Sequence, residues 1–182
     1  MENTKNTIVT FLQLLNVKHT KSFSNQYFNE HPHKNNLFGL SKMLSDYGIE
    51  NAATRIEDKE QNLSAIETPF IAHFGGDFVV VNKVESDNVS FLWKGDKHIL
   101  TTEKFIEAWT GIILLAEASE KSIEPDYKKH TKTELLGILK KIAFFSAIGA
   151  ISLLAYIYQS FYTNIGITIL ILILLFKNKK IA

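Results

Sequence analysis

The sequence predicts an α+β domain followed by a transmembrane helical hairpin. Apolar residues recur at helical spacing as far as Tyr47, then give way to β-branched and aromatic runs separated by turns. Helices therefore precede strands, which is the order of an α+β domain and not of alternating βαβ units. From Ile142 to Phe176 the chain carries no Asp, Glu, Lys, Arg or His.

Ile8, Phe11, Leu12 and Leu15 fall at i, i+3, i+4 and i+7, so the first helix buries one face. A second helix is expected over Ser22–Asn29 with Phe23 and Tyr27 inward. His31-Pro32-His33 ends it, because the residue before proline avoids the helical region. Asn35 and Asn36 can cap a third helix over Leu37–Tyr47, and Gly48 stops it. Ile49–Ile56 reads as a short strand and Asp58–Ile66 as a short helix or loop. Phe70–Phe74, Phe78–Val84 and Val89–Trp93 read as strands, separated by Gly75-Gly76-Asp77 and Glu85-Ser86-Asp87-Asn88. Lys94-Gly95-Asp96-Lys97 is a further turn. Thr101 or Thr102 caps a helix through Ala108, Gly111 breaks it, and Ile112–Ala116 is a last buried strand. Glu117–Tyr127, with Pro125, reads as a polar linker.

A formal net charge of +1, with no basic stretch interleaved with aromatics, points away from nucleic acid. The absence of cysteine excludes disulfides, thiolate metal sites and a cysteine nucleophile. Glu2 and Lys5, followed by an amphipathic segment containing Gln13, do not make a signal peptide, so the domain is expected in the cytoplasm.

As a single helix the uncharged run would extend about 52 Å, against a hydrocarbon core of about 30 Å. Its middle holds Tyr156, Tyr158, Gln159, Ser160, Tyr162, Thr163, Asn164 and Gly166, residues suited to a headgroup-level turn. Two short spans, Ile142–Tyr158 and Tyr162–Phe176, are expected. One span from Ala143 to Phe161, with the remainder at the interface, is the alternative. Lysines 128, 129, 132, 140 and 141 precede the run and lysines 177, 179 and 180 follow it. The positive-inside rule then puts both termini on the cytoplasmic side. The expected organisation is a domain over 1–117, a linker with a basic juxtamembrane segment over 118–141, a hairpin over 142–176 and a basic tail over 177–182.

Three phrases carry a resemblance. Leu37-x-Gly39-Leu40 runs on to Tyr47-Gly48-Ile49. Pro69-x-Ile71-Ala72-His73 precedes Phe78-Val79-Val80-Val81. Phe105-x-x-x-Trp109-Thr110-Gly111 leads to Leu114-Leu115-x-Glu117. Over roughly Phe11–Glu117 the chain resembles the family 39 cysteine peptidases, papain-like enzymes that cut double-glycine leaders from bacteriocin precursors. The resemblance implies a papain-like fold and a leader-peptide partner. It also implies a catalytic cysteine six residues after an oxyanion-hole glutamine. Gln13 matches the glutamine, but His19 stands six residues on, with Thr20 beside it. The family's histidine position, just before the Phe-Val-Val strand, holds Asp77. The family's acid follows the next strand, where this chain has Phe91-Leu92-Trp93-Lys94. Gln13, His19, Thr20 and Asp77 are thus expected to mark a vestigial site with no catalytic residue. The linker and hairpin also look like members fused to vitamin-K-epoxide-reductase-like membrane domains. That likeness implies a shortened, redox-inert relative near an export or thiol-redox membrane protein.

Other constellations have plainer readings. His31 and His33 diverge around Pro32 and lack the further ligands a zinc site needs, so no metal and no cofactor is expected. His73 and Asp77 flank the glycine turn as a formal acid–base pair without a nucleophile, and a hydroxyl at Thr20 or Ser22 lacks its base. Trp93, with His73, is the candidate anchor for a peptide. The expected function is a membrane-anchored, non-cleaving domain that binds a leader peptide for export or maturation. A hydrolase with a non-cysteine mechanism and a membrane scaffold that docks a partner protein stay open at this point.

Overall fold

The computed structural model describes residues 6–178. Helix α1 (Thr7–Leu14) starts at Asn6, whose side chain accepts the Val9 amide at 2.8 Å. Helix α2 (Lys21–Glu30) follows, and α3 (Leu37–Asp46) is capped by Asn36 on the Gly39 amide at 2.8 Å. Gly39 is required there, because a Cβ would stand 1.9 Å from the His33 carbonyl oxygen. After α3 come β1 (Glu50–Arg55), a short helix α4 (Lys59–Asn62) and a 3-10 turn at Leu63–Ala65. The chain continues through β2 (Phe70–Phe74), β3 (Asp77–Val84), β4 (Asn88–Trp93), β5 (Asp96–Thr101), α5 (Thr102–Ala108) and β6 (Trp109–Glu117).

The six strands form one antiparallel sheet in the order β1-β6-β2-β3-β4-β5. The last strand thus inserts between the first two, and Leu114 pairs with both Ala53 and Ile71. Because side chains alternate across a strand, the sheet supports a core on each face. One face packs Ile71, Val80 and Leu114 under α1 and α3, with Ile8, Phe11, Leu12, Leu40 and Leu44. The other packs Phe70, Phe74, Val79, Val81, Phe91 and Ile113 under Phe105 of α5 and Trp109. Gly111 sits between the two strand partners of β6 with φ +84°, and a Cβ on it would meet the Ile56 carbonyl oxygen at 2.5 Å.

Three expectations are corrected. First, Asp96–Thr101, expected only as a turn and a helix cap, forms the edge strand β5. Its side chains are almost all exposed, so neither apolar alternation nor a buried run marks it.

Second, residues 118–134 are not a linker. Ser122 Oγ donates to the Gly48 carbonyl at 2.7 Å, the Ile123 amide to Tyr47 at 2.9 Å and the Glu124 amide to Lys18 at 3.0 Å. The compact unit therefore extends over Met1–Glu134 instead of ending at Glu117, and a second unit covers Leu135–Ala182.

Third, no hairpin turn interrupts the C-terminal segment: α6 runs unbroken from Tyr127 to Asn178. None of the chain's three prolines lies in it. Thr163, one of the polar residues expected to turn the chain, bonds back along the helix instead, as does Thr168 beyond them. Thr163 Oγ1 donates to the Gln159 and Ser160 carbonyls at 3.0 and 2.9 Å, and Thr168 Oγ1 to Asn164 at 2.9 Å. This helix is long and apolar enough to cross a membrane. Lys179, Lys180 and the charged opening Met1–Lys5 lie outside the described residues.

Candidate functional site

The β2–β3 turn, with Gly75 at φ +58° and Gly76 at φ +85°, delivers Asp77 to the head of β3. Its carboxylate accepts three donors. They are its neighbour's amide on Phe78 at 2.8 Å, the Trp93 indole at 2.9 Å from the end of β4, and Lys94 Nζ at 3.5 Å. Lys94 Nζ also lies 5.5 Å from the Trp93 ring centroid. Partial burial pushes the Asp77 pKa up. The indole and amide hydrogen bonds and the lysine charge outweigh it and hold the carboxyl below its ordinary value. At neutral pH the group is a stable anion and a poor proton acceptor.

Helix α1 begins at the same place, where Thr7 Oγ1 donates to the Phe78 carbonyl at 3.2 Å. A helix N-terminus, the head of β3 and the end of β4 therefore converge. The next strand pair across, His73 opposite Phe78, puts the His73 ring 5.1 Å from the Phe78 ring, and His73 Nδ1 lies 3.0 Å from Thr110 Oγ1. Asp77 pairs instead with Phe74, so its side chain leaves the opposite face of the sheet. His73 and Asp77 therefore do not form the acid–base pair that their spacing suggests.

The remaining residues singled out in the sequence lie elsewhere. Gln13 is exposed near the C-terminal end of α1, away from the Thr7 contact with β3. His19 Nδ1 is 2.8 Å from the Val17 carbonyl. Thr20 precedes α2 and serves a different cluster, built around Glu124. The Glu124 carboxylate is buried and accepts the Thr20 amide at 2.6 Å, the Thr20 hydroxyl at 2.9 Å and the Ser24 hydroxyl at 3.2 Å. His130 Nδ1, from the second turn of α6, stands 2.8 Å away, and its ring stacks on Phe23 at 3.9 Å. Among the described residues no hydrogen bond or ion pair joins Gln13, His19 or Thr20 to Asp77.

Sequence reasoning missed Thr7, Glu124 and His130. Thr7 carries no signal beyond its place at a helix start. Glu124 and His130 sit in what reads as polar linker and basic flank. His31 and His33 stack edge-on at 6.2 Å, and no group of three or more His, Cys, Asp or Glu gathers among the described residues.

The family model for the peptidase C39 family matches residues 8–121. The chain belongs to the peptidase C39 family. Solved structures agree with the fold of this C39 domain. The peptidase domain of ComA from Streptococcus, a bifunctional ABC transporter of a quorum-sensing pathway, aligns with a TM-score of 0.53 at 11% identity, covering 65% of this chain and 92% of that one. A double-glycine-motif protease from an AMS/PCAT transporter, solved with its leader peptide, aligns at 0.55 and 18% identity, covering 65% and 85%. The C39-like domain of a toxin-secretion ATP-binding protein from Vibrio parahaemolyticus aligns at 0.52 and 17% identity, covering 65% and 98%. No curated protein matches the chain. The resemblance assigns the histidine position to Asp77 and the acid position to the stretch Phe91-Leu92-Trp93-Lys94, and Trp93 and Lys94 of that stretch contact the Asp77 carboxylate.

Proposed function

We propose that this C39 domain binds a double-glycine leader peptide without cleaving it, and that α6 holds it at a membrane. One observation carries the reading. Where the fold brings the head of β3 against the end of β4, the chain supplies a lowered-pKa carboxylate, an indole and an ammonium. Thiol peptidase chemistry needs a thiolate and an imidazole in contact, and the sequence holds no cysteine. On this reading Asp77 is the vestige of a peptidase site, while Gln13, His19 and Thr20, expected to share it, lie elsewhere. Half-buried Trp93 offers the aromatic surface on which an extended leader anchors, and His73, on the other face of the sheet, takes no part in it. The complex with a leader peptide known for a protease of the same fold supports the choice of ligand.

The five lysines between 128 and 141 favour the cytoplasmic side for the domain. There it would present a leader to an export or thiol-redox membrane protein. The test mixes the full chain in detergent with a panel of double-glycine leader peptides, following binding by calorimetry and cleavage by mass spectrometry. Saturable binding with intact peptide is expected, roughly tenfold weaker in Trp93→Ala. Cleavage, or no binding by any leader, sinks the proposal.

A further inference from the structure

The sheet face that carries α5 is only partly covered. At its β1–β6 end an open groove of about 940 Å³ remains, floored by Ala52, Ile113 and Leu115 and walled by Ile66 of the segment leading into β2. It lies at the opposite end of β2 from the turn that holds Asp77, on the far side of the sheet order from β4.

The groove's charge is one-sided. Glu50, Glu67 and Glu117 line it, and among its lining residues there is no lysine, arginine or histidine. These glutamates gather at one end, since β1 starts, β6 finishes and the lead-in to β2 passes there. Glu50 and Glu117 also stand directly opposite each other in the β1–β6 register, both exposed. Like charges in that position repel across the strand pair, and a cation between them removes the repulsion. Strand β1 is the outermost strand, and its register with β6 is unbroken from Glu50 to Arg55. Among the described residues no strand pairs with its outer edge, which leaves a row of backbone groups of the form that accepts an added strand.

We propose that an extended peptide segment adds to the edge of β1 at the mouth of this groove, with Lys or Arg beside the glutamates and β-branched residues beside Ala52 and Thr54 of β1. The backbone row supplies affinity, Ala52 and Thr54 select alternate side chains, and the acidic end sets direction. The inference is independent of leader binding near Trp93.

The test uses the full chain in detergent and fluorescence anisotropy. The probe is a short labelled peptide with paired arginines at one end and alternating valine and threonine after them, made in both chain directions. One direction should bind saturably and weaken as salt rises. A Glu50→Lys/Glu117→Lys variant should bind it roughly tenfold more weakly. That variant should in turn favour the matching peptide with glutamates in place of arginines, which also shows that it has folded. Absence of saturable binding overturns the proposal, as does equal binding by wild type and variant, or a variant without the switched preference. Leader binding without probe binding overturns this inference and leaves the leader reading standing; probe binding without leader binding does the reverse.

Discussion

Glu124 shows how a buried charge is made tolerable. Its side chain is shut from solvent, so every lone pair it keeps must be matched inside the protein. Thr20 contributes two donors, Ser24 one, and the His130 ring nitrogen closes the set. Replacing Glu124 with leucine strands those donors and should cost about 3 kcal/mol in denaturant unfolding of the full chain, whereas Ser24→Ala should cost about 1 kcal/mol.

Nearby, burial first and the Glu124 charge second push the Tyr47 hydroxyl up to about 12, against the opposing hydrogen bond with Ser24. A folded pKa above the unfolded value means that Tyr47's contribution is complete below about pH 10 and fades as pH climbs towards 12. Asp77 acts in the opposite sense: its lowered pKa gives stability above about pH 4 that is lost as pH falls further. Unfolding midpoints followed against pH should flatten on the alkaline side in Tyr47→Phe and on the acid side in Asp77→Asn. The place of Asp77 in a turn is readable from Gly75-Gly76 beside it. The role of Glu124 is not, because its partners lie far off in sequence and Pro125 next to it speaks for a linker.

Elements whose own residues carry a period were readable: α1, α3 and β2 to β4 all lie where apolar spacing puts them. Strand β5 was not, since a strand exposed on both faces is specified by its neighbour β4 and not by its own pattern. The unbroken course of α6 was missed for a related reason. Polar residues favour turns where water competes for the backbone, but in this long apolar helix the Thr163 and Thr168 hydroxyls bond back to carbonyls one turn away. With no native cysteine, nitroxide labels at Ile151→Cys and Ile165→Cys can be placed without background. Electron paramagnetic resonance in detergent should give a spacing near 21 Å along the axis, as a continuous helix requires. A separation of about 10 Å would mean that the segment folds back on itself.

At the scale of the whole molecule, two units meet the solvent differently. In Met1–Glu134 one apolar core packs on each face of one sheet; the Leu135–Ala182 unit shows apolar side chains outward along its described length. Outward-facing apolar surface on this scale needs lipid or a partner protein to cover it. If the lysines beside the helix orient it as proposed, a thiol introduced at Glu120 should react with an impermeant maleimide only after the cell membrane is opened. Labelling of intact cells would place the domain outside.

Thr20 and Glu124 are 104 positions apart. During synthesis, α2 emerges with the Thr20 amide and the Ser24 hydroxyl still lacking their acceptor, and the sheet is missing β6 between two of its strands. Both gaps close only when the stretch from Trp109 to His130 has left the ribosome. About a dozen residues further on, at Ile142, the uncharged apolar run of α6 begins to appear. If α6 enters a membrane as proposed, the domain therefore becomes complete just before the nascent chain offers the segment to be inserted, and the maturation of the one precedes the delivery of the other.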